Sequence, residues 1–192
     1  MLLENRKIGF AVTSSFCTVE YVFPEIMRLR SEGADVIPIV SENLAKTNTR
    51  FGTAADILCK MAEYTGHEPL KELTAVEPIG PQKMLDALVV APCTGNTLAK
   101  ISNGITDTTV AMAVKAHMRN ARPVILAIAT NDGLGANARN IGLLLNTKNI
   151  FFVPFGQDDP KKKCNSLIAR FSLVLPTLME ALNGNQIQPL LI

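Results

Sequence analysis

The residues best placed to do chemistry lie between Ala91 and Lys100, where the chain leaves an apolar run and opens a helix-like stretch. Pro92, Cys93, Thr94, Gly95, Asn96 and Thr97 form the turn. Two hydroxyls, a glycine that lets backbone approach, and free amides at a helix start together make an anion site, and phosphate is the obvious anion. A capped strand-to-helix turn would carry the same residues, so both readings stand. Thr13, Ser14 and Ser15 end the first apolar run, and Ser41 directly follows the second. Cys93 reads as a small buried thiol rather than a nucleophile, because no partner base is evident.

These loops need a frame to bring them together. Apolar runs at 8–12, 36–40, 87–91, 124–129 and 150–153 read as strands, buried on both faces as central parallel strands are. Helical patterns fall between them, over about 19–31, 53–64, 97 onward, 107–119 and 137–145, and a last helix is expected over 165–182. Pro24 should either start or bend the first helix, and Gly33 and Gly66 are expected stops. The Pro-rich stretch 67–81 allows a short strand around Thr74–Val76. Strands alternating with helices imply a Rossmann-like, three-layer α/β fold on a parallel sheet, in one domain over 1–192. Ligands of such sheets sit beyond the carboxyl ends of the strands, so the loops to search are 13–17, 41–52, 92–97, 129–137 and 154–164.

Composition narrows the partners. The 192 residues carry 19 Lys+Arg against 17 Asp+Glu, with the signs interspersed and 5% aromatics. That offers neither a basic stripe nor a stacking platform for nucleic acid. The four cysteines form no C-x-x-C pair and only two histidines are present, so a metal site is not expected. No apolar run approaches the ~20 residues of a membrane span, and the first residues do not resemble a secretory signal. A cytoplasmic protein is the expectation.

The run from Pro92 to Asp107 resembles the Pro-x-x-x-Asn-Thr-x-x-Lys-x-x-x-Gly-x-x-Asp pattern of the flavin-containing cysteine decarboxylase family. Residues 77–81, 91–107, 130–135 and 146–157 resemble one member of that family in particular, spread along the chain. The resemblance implies a flavoprotein-type fold, bound FMN and a homo-oligomer built from trimers, with the 107–119 helix near an interface through Met112 and Met118. It also implies that Thr13, Ser14, Ser15, Ser41, the 92–97 turn and Asp107 contact the flavin; a helix cap is the other reading of Asp107. Where the family carries its catalytic His, eight residues before the Asp equivalent to Asp86, this chain has Pro78. That departure speaks against the family's decarboxylation and leaves the catalytic residue unassigned.

Within that family the chain is most similar to a member whose resemblance implies two partners: a second, dehydrogenase-like protein chain, and a small dicarboxylate substrate from which a flavin accepts two electrons. Asn131 matches the family's substrate-contacting Asn, with a turn residue bonding its own backbone as the alternative. Arg139 is a candidate bidentate partner for a carboxylate. Three further features carry rival readings. Gly133 to Ala138 matches G-x-G-x-x-A, either a nicotinamide site or a Gly-rich substrate loop. Lys161, Lys162 and Lys163 read as a solvated turn that could meet an acidic substrate or partner. His67 reads as a surface histidine, with a proton shuttle to a neighbouring protomer as the weaker option. A non-catalytic scaffold with a degenerate flavin site is the last alternative.

Overall fold

The computed structural model describes all of residues 1–192. In chain order the strands are β1 (Lys7–Val12), β2 (Asp35–Val40), β3 (Ala87–Cys93), β4 (Val124–Thr130), β5 (Ile150–Phe152), β6 (Phe155–Asp159) and β7 (Lys163–Ala169). The helices are α1 (Phe23–Ser31), α2 (Glu42–Lys46), α3 (Ala54–Thr65), α4 (Leu73–Val76), α5 (Gly95–Ser102), α6 (Thr109–Met118), α7 (Ala138–Leu145) and α8 (Val174–Leu182). Strands β2, β1, β3, β4 and β5 pair in parallel in that order, and the chain reverses its direction across the sheet between β1 and β3. Every residue of β3 and all but the last of β4 are buried, since helices cover both faces. The loops after β1 and β3 therefore flank the switch point, where an open α/β sheet leaves a crevice.

Local signals set most element ends. A single 3-10 turn precedes α1, and Pro24 occupies the first turn of the helix, so it starts the regular part rather than bending it. Thr53 accepts a hydrogen bond from the Asp56 amide (3.1 Å) and donates one to its carboxylate (2.7 Å), which opens α3. Gly66 closes that helix at φ 75°, a conformation that favours glycine.

Four expectations are corrected. Leu73–Val76 is a helical turn, not a strand. Residues 154–164 are not a loop, nor does the last helix begin at 165. They hold most of a β6–β7 hairpin, whose β7 runs antiparallel to the end of β4 through Ala129–Ile168 and Thr130–Leu167. Helix α8 starts only at Val174. β5 occupies the first half of that flank of β4, and the ladder groups left open at its second half recruit β7. Residues 41–52 also contain the short α2, opened by Ser41.

Candidate functional site

Thr13 is fully buried, and its side chain ties the two strand ends together. Its hydroxyl donates to the Pro92 carbonyl (2.7 Å) and accepts from the Thr94 amide (3.0 Å). Thr94 is the N-cap of α5: its hydroxyl accepts from the Thr97 amide (3.3 Å) and meets the Thr97 hydroxyl (3.1 Å). The amides of Gly95 and Asn96, in the first turn, have no intrahelical partner. Both residues line the crevice. A Cβ at Gly95 would stand 2.5 Å from the Thr130 hydroxyl and 2.6 Å from the Asn137 amide nitrogen, so any larger residue forces this polar cluster to shift.

The crevice has two connected chambers. One, of about 470 Å³, is lined entirely by polar residues, among them Ser14, Ser41, Asn43, Thr94, Asn96 and Thr97. Its two carboxylates are already engaged. Glu42 accepts from the amide (2.6 Å) and hydroxyl (2.7 Å) of Thr109, and Asp107 pairs with Lys100 (2.6 Å), whose hydrogen bond holds the Asp107 carboxyl below its usual range. Asp107 does not cap α6; Thr108 does, accepting from the Ala111 amide (3.3 Å). Asp107 thus lies on the chamber wall as half of an ion pair.

The second chamber, about 490 Å³, shares Ser14, Thr94 and Asn96 with the first and adds Ser15, Phe16, Phe51, Ala129 and Asn131. Asp132 lies on its wall. The Thr130 hydroxyl and the Asn137 amide (2.8 and 2.9 Å) donate to its carboxylate, the Thr130 bond doing most to lower its pKa. Asn137 accepts from Asn140 (2.8 Å), which in turn accepts from Ser102 at the end of α5 (2.9 Å). This polar chain, together with Phe16 and Phe51, was not evident from sequence spacing. Its one local signal was the density of Asn and Asp after β4.

Other candidates fall outside the crevice. Pro92 and Cys93 are buried in β3, and burial pushes the Cys93 thiol up to about 12, so it is no nucleophile at neutral pH. Arg139 is exposed on α7 and lines neither chamber. Gly133 packs against Leu167, and the Leu134 amide donates to the Asn165 carbonyl, so the 133–138 turn serves the hairpin contact. His67 is exposed and bonds Asp35 (2.7 Å). Met112 and Met118 are half-buried against the core.

The family model Flavoprotein matches residues 2–166. The chain belongs to the Flavoprotein family. Among its relatives, the dipicolinate synthase B subunit of Bacillus subtilis (strain 168) is 50% identical over 190 residues, covering 99% of this chain and 95% of that protein. The crystal structure of the dipicolinate synthase B subunit from Bacillus halodurans C superposes with a TM-score of 0.92 at 43% identity, covering 100% and 98% of the two chains. The FMN-dependent cysteine decarboxylase SpaF shares the flavoprotein fold at a TM-score of 0.66 and 20% identity, over 95% and 99%. The expected fold class and the flavin cofactor agree with this family. No helix is long and apolar enough to cross a membrane.

Proposed function

We propose that this chain is the FMN-holding component of a dipicolinate synthase. It acts with the synthase's dehydrogenase-like A subunit to form pyridine-2,6-dicarboxylate from a dihydrodipicolinate-level precursor in the mother cell of a sporulating bacterium. The observation that carries the reading is the two-chambered crevice at the switch point of a chain half identical to a dipicolinate synthase B subunit. The residues fit the cofactor. The all-polar chamber offers hydroxyls at Ser14, Ser41 and Thr97, beside helix-start amides that favour an anion by roughly 0.3–1 kcal/mol. The mixed chamber offers Phe16, Phe51 and Ala129 to a planar ring. Bound FMN supplies a two-electron acceptor for aromatising the precursor ring. Asn131 donates to the substrate from the same chamber wall.

Family-type decarboxylation is not favoured: neither histidine lines a chamber, and Pro78 stands where that chemistry needs one. The protein works as a homo-oligomer built from trimers. Exposed Leu143 and Leu145 on α7, more than Met112 and Met118, supply the apolar surface such an assembly covers. The test is reconstitution with the dehydrogenase-like partner. Dipicolinate should form only when both proteins and FMN are present. Full activity without FMN would leave this chain a scaffold, and activity needing only a nicotinamide bound at 133–138 would overturn the flavin role.

A further inference from the structure

Of the three consecutive lysines, one behaves unlike the others. The backbone amides of Lys161 and Lys162 donate to the Asp159 carboxylate (3.2 and 3.1 Å), which shapes the hairpin turn. Lys163 begins β7, and its ammonium donates to Asp158 (2.6 Å). These two residues line a third, smaller chamber of about 80 Å³, which shares Ser15, Cys17, Ala129, Thr130 and Asn131 with the mixed chamber and so extends it under the hairpin. Ser166, only 3% exposed, also lines it. The Ser166 hydroxyl has only long contacts, 3.4 Å to Asn131 and 3.5 Å to Asp158, so a nearly buried donor is left weakly used.

Charge singles out this corner. Lys163 is the one cationic side chain lining any of the three chambers, whose other charged lining groups are the carboxylates of Glu42, Asp107, Asp132 and Asp158. A doubly negative ligand entering them meets one compensating charge.

We propose that the small chamber seats one carboxylate of a two-carboxylate substrate, with Lys163 as its charged anchor and Ser166 and Asn131 as neutral donors. This assignment rests on the dicarboxylate reading above. Asp158 holds Lys163 in place while the chamber is free and competes with the substrate for it. The two members of the pair therefore act in opposite directions. Removing the cation weakens binding, and neutralising Asp158 strengthens it, because the lysine is released and a like charge is lost.

Calorimetric titration of the FMN-loaded full chain with pyridine-2,6-dicarboxylate at low salt tests this. Lys163→Gln should weaken binding about tenfold and Asp158→Asn should tighten it about threefold, with FMN affinity and melting temperature unchanged. Dicarboxylate binding by Lys163→Gln within twofold of the parent overturns the anchor and leaves the dicarboxylate reading intact. So does weaker binding by Asp158→Asn, since the intact pair rather than the lysine charge would then matter. A loss shared by FMN affinity also overturns the anchor, as general damage. If the FMN-loaded parent binds no dicarboxylate at all, the substrate reading fails and the anchor with it.

Discussion

The first turn of α5 and the β6–β7 hairpin line adjoining chambers of the crevice but are held in different ways. Thr13 fastens the α5 turn by two hydrogen bonds from the neighbouring strand end, Thr94 caps it, and three polar groups close around Gly95. The hairpin meets the main sheet through two residue pairs at the end of β4, the Leu134–Asn165 backbone bond and buried Leu167 and Ala169, but the groups it lends to the crevice interact only through an ion pair and long hydroxyl contacts. A wall fixed by a buried hydroxyl bridging two strand ends and by a capped helix start suits a permanently held cofactor. A wall with exchangeable polar partners suits a substrate that comes and goes.

Acid should break the support of the fixed wall most. Helix α6, which carries Thr108 to the polar chamber, buries His117 completely, with Nε2 on the Pro123 carbonyl (3.1 Å) and Nδ1 unpartnered. Burial first, and the nearby Arg122 cation after it, lower its pKa to about 4, against the pull of the Pro123 carbonyl and Asp86. The folded state therefore keeps a neutral ring while the unfolded chain takes up a proton below about 6.5. This contribution is intact above that pH and is lost as pH falls toward 4, by about 3 kcal/mol at the limit. Urea unfolding at pH 7 and pH 4.5 measures it, and His117→Met should flatten this part of the profile.

Gly95→Val comes next. It places methyl groups against Thr130, Asn137 and Asp132, costing about 2 kcal/mol and abolishing FMN uptake. Thermal melting and flavin titration check both effects; retained FMN affinity would mean that the α5 turn is not the cofactor wall. Thr13→Val keeps the shape but removes both cross-loop bonds, and should cost about 1.5 kcal/mol and weaken FMN severalfold. Ser166→Ala, on the hairpin, should change stability by less than about 0.5 kcal/mol and leave FMN affinity alone, since its contacts are long. Equal effects of the Thr13 and Ser166 changes on FMN binding would erase the distinction between the walls.

The same contrast governs what was legible in the sequence. The parallel strands announced themselves as short apolar runs, and the α5 turn as hydroxyl, glycine and amide in a strand-to-helix step. Both signals are local. The hairpin's pattern is not: Gln157, Asp158 and Asn165 are exposed or half-buried, Ser166 and Leu167 are buried, and Pro160 breaks the run at the turn. What makes it a hairpin is the open flank of β4, a tertiary circumstance with no trace in its own residues. Asp107 shows a related limit. Its position before a helix suggests a cap, but Thr108 stands one residue closer to the helix and Lys100 claims the carboxylate.

The central claim is that the α5 turn and the polar chamber hold the phosphate of FMN. Parallel titrations of the cofactor-free protein with FMN and with riboflavin, which lacks only the phosphate, test it most directly. The account predicts that FMN binds about a hundredfold more tightly, as expected for a phosphate held by helix-start amides and hydroxyls. Equal affinity for the two, or uptake of neither, would contradict it.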